Sequence, residues 1–224
     1  MCTVTFIPTQ NGIVITSNRD ERVTRERAIA PLEYEIDGCK ITFPKDPQAG
    51  GTWIAQTSEK AIVLLNGAAE NHKIKSSYRK SRGLIVLELA SATDSLNFWE
   101  AMDLEAIEPF TIVLFENNEL HQLQWNEVAK SKIKFPVNLP HIWSSSTLYT
   151  KEIRTIRAKW FADFMAKNES PDAKAILDFH QFAESQNSAY GLQINRNNEL
   201  KTVSISQCII TSEKITLSYL DLIE

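Results

Sequence analysis

Residues 2–21 read CTVTFIPTQNGIVITSNRDE, and this stretch decides the fold prediction. Its two halves, 2–7 and 13–17, are rich in β-branched and aromatic residues. Asn11-Gly12 between them is a strong signal for a hairpin turn, so we predict an antiparallel strand pair. Pro8 has no amide hydrogen, which predicts either a strand edge at this point or a longer loop.

The turn position sets which side chains meet at the chain start. With Asn11-Gly12 as the two central residues, Val4 pairs with Arg19, Thr3 with Asp20 and Cys2 with Glu21. Arg19 then shares a face with Cys2 as a diagonal neighbour. Asp20 points to the other face unless the strand ends or bulges there.

The rest of the chain predicts an α+β fold of mainly antiparallel sheet. Strands open and close the chain and helices lie between, without regular β-α-β alternation. We expect one domain over residues 1–224. Further strands are predicted at 39–43, 52–56, 60–65, 110–115, 119–125, 202–211 and 214–220, and helices at 80–92, 95–102 behind Asp94, 149–167 and 172–185.

Composition narrows the function classes. The net charge of -4 argues against a nucleic-acid partner. No apolar run reaches the roughly 20 residues of a membrane span, and the start does not resemble a signal peptide. The three separated cysteines and four scattered histidines fit neither a disulfide framework nor a metal site. We expect a cytoplasmic protein without a required cofactor and of undetermined oligomeric state.

Cys2 could combine two catalytic roles. Removal of Met1 would leave the α-amine of Cys2 as the chain terminus. Its reference pKa of about 7.7 to 8.0 lies just below the thiol value of about 8.5, so one residue could supply nucleophile and base. A nearby arginine would favour the thiolate. The simpler interpretation is a small buried hydrophobic residue in a strand.

Several motifs carry a family resemblance. Met1-Cys2, Asn18-Arg19-Asp20-Glu21, Gly50-Gly51-Thr52-Trp53, the strand that ends at Asn66, and Ser81-Arg82-Gly83 resemble the NRDE family, also called the transport and Golgi organisation protein 2 family. The match is specific over about the first ninety residues and diffuse afterwards. The resemblance implies a four-layer αββα sandwich, N-terminal-nucleophile hydrolase-like.

The resemblance also implies site residues. By similarity to related cysteine amidases, the catalytic residues are Cys2, Arg19, Asp20 and Asn66, with the Asn66 amide at the oxyanion. Candidate substrate-binding residues are Asn18, Gly51, Trp53, Arg82 and Ser146. Asn66 could instead cap a turn, Trp53 could be a core residue, and the basic segment 72–82 could be a surface loop.

The sequence departs from the amidase pattern at two places. Ser146 stands where a second asparagine is expected, and the final strand has no arginine around residues 205–207. The full set of amidase residues is therefore not present. The first hypothesis, which follows from Cys2 and the resemblance, is a Cys2-dependent hydrolase of a carbon–nitrogen amide in a small acylated substrate. The alternatives are a non-hydrolytic binding or trafficking protein for haem, acyl-CoA or lipid, and a structural domain with a vestigial site.

Overall fold

The computed structural model describes residues 3–223, which form two antiparallel sheets flanked by four helices. The strands are β1 (Thr3–Thr9), β2 (Gly12–Arg22), β3 (Ile29–Ile36), β4 (Cys39–Lys45), β5 (Ile54–Gln56), β6 (Lys60–Asn66), β7 (Phe110–Glu116), β8 (Glu119–Trp125), β9 (Lys130–Phe135), β10 (His141–Ser144), β11 (Asn195–Arg196), β12 (Leu200–Ile210) and β13 (Ile215–Asp221). The helices are α1 (Arg82–Ser91), α2 (Ser95–Ala101), α3 (Lys151–Lys167) and α4 (Ala173–Phe182).

The layers follow the predicted αββα order. One sheet runs β10-β1-β2-β12-β11, with β13 also paired to β12, and the other runs β3-β4-β5-β6-β7-β8-β9. Their inner faces enclose one apolar core, which includes Phe6, Ile15 and Val63. Helices α1 and α2 pack on the seven-stranded sheet, and α3 and α4 on the other. The predicted αββα sandwich is confirmed.

The first hairpin forms, but its predicted register is wrong by two residues. Thr3 pairs with Asn18 and Val4 with Ser17, so the turn residues are Gln10 and Asn11. Gly12 lies in β2 with φ +134°, and a Cβ there would overlap the carbonyl of Ile210 in β12. The glycine therefore serves a close strand approach and not the turn centre. A two-residue shift keeps every side chain on its predicted face.

The prediction for Pro8 is settled by strand β10. This strand covers β1 only from Thr3 to Phe6, so Pro8 lies past the covered stretch and pairs with Ile13 of β2. The side of β1 beside Pro8 therefore has no neighbouring strand among residues 3–223. The missing amide hydrogen of Pro8 costs no hydrogen bond between strands there.

The sequence prediction missed strands β3, β9, β10 and β11. Strand β3 is largely exposed and carries Pro31 and two glutamates, and β9 is rich in lysine. Both lie at sheet edges, where charged residues and proline protect against edge pairing and weaken the apolar pattern. Strands β10 and β11 have only four and two residues.

The predicted helices form within about three residues of their expected ends. Asp94 caps α2, as predicted, by accepting a hydrogen bond from the Asn97 amide. Ser81, Thr150 and Asp172 cap the other three helices in the same way. Across residues 3–223, none of these helices has the length and apolar character to cross a membrane.

Candidate active site

A polar cavity of about 130 Å³ opens at the end of the sandwich where β1 begins. It brings together five residues predicted for the site: Arg19, Gly51, Trp53, Asn66 and Arg82. The cavity walls also carry Arg25, Glu21 and Asp46, which were not predicted as site residues. Three guanidinium groups against two carboxylates give the described lining a net positive charge.

Arg19 is held in a fixed position on the inner face of β2. It is buried, its guanidinium carbon lies 4.3 Å from the centre of the Trp53 ring, and Nη2 donates to Asp46 Oδ2 at 3.2 Å. Glu21 Oε2 lies 3.6 Å from the same nitrogen. Stacking and ion pairing together leave this side chain little freedom, so its charge is pre-positioned beside the start of β1.

Asp46 is the centre of this ion cluster, and sequence reasoning missed it. Oδ2 accepts from Arg19 and, at 2.7 Å, from Arg25 Nε, while Oδ1 accepts from the backbone amides of Gln48 and Ala49. Burial acts to lower the pKa of Arg25, but the hydrogen bond to Asp46 and the charges of Asp46 and Glu21 outweigh it and raise that pKa. An aspartate before Pro47 and Gly50-Gly51 is a turn signal that could have pointed to this loop.

The glycines near Trp53 serve backbone packing. Gly50 adopts φ +72°, a backbone conformation that favours glycine. A Cβ on Gly51 would overlap the backbone of Gly83 in α1, and one on Gly83 would lie 2.8 Å from the Thr52 carbonyl oxygen. Gly51, a candidate substrate-binding residue, therefore packs closely against another chain segment, and this contact brings Arg82 of α1 to the cavity.

Arg82 meets the cavity from the first turn of α1. Its Nη2 lies 2.9 Å from Glu108 Oε2, and Nη1 donates to the Pro109 carbonyl. Burial lowers the pKa of Arg82, although Glu108 opposes this shift. Glu108 also contacts His72 Nε2 at 3.2 Å, which ties the basic segment 72–82 to the cavity wall.

Asn66 ends β6 between this cavity and a second one. Its backbone carbonyl accepts from Ser145 Oγ at 2.7 Å, a bond that joins the two sheets beside the start of β1. No described residue hydrogen-bonds its side-chain amide. Ser146 lies in the second cavity, where Oγ donates to the Glu70 carbonyl at 3.1 Å, so the structure does not bring Ser146 to the first cavity.

Asn18 and Asp20 lie on the outer face of β2, away from Arg19. Asn18 is fully buried and donates to the carbonyls of His180 and Leu192 at 3.1 and 2.7 Å. Asp20 accepts from Tyr149 Oη and Thr202 Oγ1, both at 2.6 Å. The alternation predicted for Asp20 is confirmed, and both side chains are engaged with protein groups instead of lining the cavity.

A buried polar layer continues behind Asn18. His180 Nδ1 lies 2.5 Å from Asn18 Oδ1, which can only accept, so Nδ1 carries the proton and Nε2 accepts from Thr5 Oγ1 at 2.7 Å. Burial, aided by the charge of Arg157, lowers the pKa of His180 to about 3. His180 is therefore neutral at physiological pH.

Arg157 is a second arginine near the start of β1, and sequence reasoning missed it. Its guanidinium is fully buried, donates to Thr3 Oγ1 and to the Tyr190 and Gly191 carbonyls, and stacks 3.6 Å from the Tyr149 ring centre. It has no carboxylate partner among residues 3–223. The final strand lacks an arginine, but helix α3 places a buried guanidinium behind Thr3.

Cys2 lies outside the described residues, so its predicted contacts are not part of the described structure. Thr3 pairs with Asn18 of β2 on one side and with Ser144 of β10 on the other. The next residues along these two neighbouring segments are Arg19 and Ser145. Over residues 3–223, no group of three His, Cys, Asp or Glu side chains is arranged to hold a metal ion.

Comparison with known proteins gives distant structures and one family. Anbu from Hyphomicrobium sp. strain MC1 is similar at TM-score 0.40 and 9% identity, and its Gly-1 mutant at 0.46 and 11%; both comparisons cover 99% of this chain and 88% of the other. No curated protein matches. The model of the Transport and Golgi organisation 2 family matches residues 1–216. The chain therefore belongs to the Transport and Golgi organisation 2 family.

Proposed function

We propose that this protein is a cysteine N-terminal-nucleophile hydrolase that cleaves a carbon–nitrogen amide bond in a small acylated substrate. The observation that carries the proposal is the single cavity shared by Arg19, Trp53, Asn66 and Arg82 where β1 begins. Cys2 directly precedes Thr3, the first residue of β1, in the sequence. The nucleophile would therefore lie next to this cavity.

The strand geometry supports the choice of face. Val4 belongs to the inner core, and the Thr3 hydroxyl contacts Arg157 on the outer side. The hairpin predicted from the sequence has Cys2 and Arg19 on one face, and Arg19 stacks on Trp53 of the inner core. The guanidinium would then stabilise the thiolate and attract an acyl oxygen or carboxylate.

The reaction would proceed in two balanced steps. The Cys2 amine takes the thiol proton, the sulfur attacks the amide carbon, and the carbon–nitrogen bond breaks as the leaving amine takes that proton. Water then attacks the thioester, the acid is released and the proton returns to sulfur. The Asn66 amide, which no residue of 3–223 engages, would donate to the oxyanion in both steps, a contribution of roughly 3 kcal/mol.

A reducing compartment such as the cytoplasm suits a thiol nucleophile. Cys39 and Cys208 are both free thiols. Neither of the two cavities described near the start of β1 favours the alternative of haem or acyl-CoA retention. Both cavities near the start of β1 have polar linings, whereas an acyl chain or porphyrin is normally enclosed by apolar side chains.

The test is hydrolysis of a series of acyl p-nitroanilides by purified protein. Release of p-nitroaniline should disappear in Cys2→Ala and persist in the matched thiol control Cys39→Ala. An alanine inserted between Met1 and Cys2 keeps the thiol but moves the amine, and should lower the rate strongly. Equal rates in Cys2→Ala and the parent protein would overturn the proposal.

A further inference from the structure

The second cavity, of about 210 Å³, lies between the sheets on the β10 side of Thr3. Its lining includes Gln122, Gln124, Trp143 and Arg154. Residues 144–146 also line it, and Ser144 pairs with Thr3. The two cavities therefore flank the start of β1, one beside β2 and one beside β10, so a substrate attacked by Cys2 could extend into both.

The two glutamine amides of this cavity are oriented by their protein partners. The Trp143 indole can only donate, and its Nε1 donates to Gln122 Oε1 at 2.8 Å, so the Gln122 amino group has no share in that bond. Gln124 Nε2 donates to Thr111 Oγ1 at 3.0 Å, because the Thr111 hydroxyl proton is already donated to the Gly67 carbonyl at 2.9 Å. The Gln124 side-chain carbonyl, Oε1, is then the group left to bind a ligand.

The cavity therefore offers a donor and an acceptor on one strand face. Gln122 and Gln124 are two positions apart on β8, so their side chains lie on the same side, separated by about 7 Å along the strand. No described residue hydrogen-bonds Gln122 Nε2 or Gln124 Oε1. Such a pair is complementary to a carbonyl and an N–H of one ligand.

The one charged residue in the described lining is Arg154. Its Nη1 donates to the Ala69 carbonyl at 2.9 Å, and its buried Nε has no hydrogen-bond partner among the described residues. The cavity therefore has a positive charge that no carboxylate of the lining offsets. An anionic group on the ligand would be favoured there.

We propose that the second cavity is a subsite for a peptide-type amide that carries a carboxylate, with Gln122 and Gln124 as specificity-determining residues. This assignment rests on the proposed function insofar as the bound group is part of a substrate of Cys2. Under it, the substrate is an acylated amino acid or small peptide, and not a fatty amide.

The experiment uses the Cys2→Ala protein, which cannot turn over a probe. N-acetylglycine is titrated while the Trp143 indole N–H signal is followed by NMR, with Trp143→Phe to assign the signal. 4-Oxopentanoate replaces the N–H of N-acetylglycine by CH2 and should bind at least about 10-fold more weakly, because Gln124 Oε1 loses its partner. N-acetylglycinamide lacks the carboxylate and should bind about 3-fold more weakly.

Two variants complete the test. Gln122→Glu keeps an oxygen that accepts from Trp143 Nε1 but replaces the amino group that donates to the ligand. The affinity for N-acetylglycine should therefore fall at least about 10-fold. Gln10→Glu makes the same change in the exposed hairpin turn at the opposite end of β1 and should leave affinity unchanged. Equal binding of 4-oxopentanoate, an equal loss in both variants, or no movement of the Trp143 signal would overturn the subsite.

The outcomes separate this inference from the proposed hydrolysis. If the probes bind in the predicted order of affinity but no Cys2-dependent release of p-nitroaniline is observed, the subsite proposal is kept and the proposed hydrolysis is rejected. If Cys2-dependent release is observed but N-acetylglycine does not bind more tightly than 4-oxopentanoate, the hydrolysis proposal is kept and the subsite proposal is rejected.

Discussion

The two faces of β2 differ in what their polar residues do. On the outer face, Asn18 and Asp20 are buried and bonded to His180, Leu192, Tyr149 and Thr202. On the inner face, Arg19 and Glu21 line a cavity. The motif Asn18-Arg19-Asp20-Glu21 thus has a structural half and a half available for chemistry, divided by strand alternation. A motif of adjacent polar residues need not form one site.

The largest expected effect is on the outer face. Asn18→Ala leaves two buried carbonyls and the His180 Nδ1–H without partners, so the free energy of unfolding should fall by about 3 kcal/mol. Urea denaturation measures this loss. Asn138→Ala, at an exposed asparagine, is the control and should change stability by less than about 0.5 kcal/mol. Similar losses in the two variants would remove the structural role assigned to Asn18.

On the inner face, Arg19→Met should affect reactivity more than folding. Loss of the charge should disfavour the Cys2 thiolate and slow Cys2 alkylation by iodoacetamide at pH 7 by about 10-fold. Asp46 would keep Arg25 and two backbone amides, so the stability loss should be near 1 kcal/mol. The control is Arg22→Met, at an exposed position of the same strand. In this variant Cys2 should be alkylated at the parent rate.

The smallest effect is a pH dependence from the outer face. His180 has a folded-state pKa of about 3, below its unfolded value near 6.5, so the unfolded chain binds the extra proton between these values. Stability from this residue is present above pH 6.5 and is lost as the pH falls toward 3. Between pH 6 and 5 the loss should be about 1 kcal/mol.

His180→Gln isolates that contribution. The variant should be less stable than the parent protein at pH 8, but it should lose about 1 kcal/mol less between pH 6 and 5. An unchanged pH slope in chemical denaturation would show that His180 is not the buried neutral residue described above.

Sequence alone predicted the features that depend on local pattern. The α+β class, the first hairpin and the faces of Arg19 and Asp20 follow from strand periodicity. The αββα order was implied by the family resemblance, which is confirmed by the match over residues 1–216. The register was wrong because Gly12 is required by its contact with Ile210, a residue almost two hundred positions away. Edge strands β3 and β9 were missed because their charged residues mask the strand pattern.

The site was predicted less completely, because it is assembled from distant segments. Arg19, Gly51, Trp53, Asn66 and Arg82 were named in advance, and they line one cavity. Asp46, Arg25 and Arg157 were not, since an aspartate 27 positions after an arginine, or an arginine within a helix, has no local signature of its partner. No local pattern distinguishes Ser145, which tethers Asn66, from Ser146, which does not.

The most direct test of the account is intact-mass analysis of the mature protein before and after brief exposure to p-nitrophenyl acetate. The account predicts a chain that begins at Cys2 and gains one acetyl group, mapped to Cys2 and absent in Cys2→Ala. Burial raises the pKa of Cys208 to about 12, so that thiol should not be labelled. A chain that retains Met1, or acetylation that is unchanged in Cys2→Ala, would contradict the account.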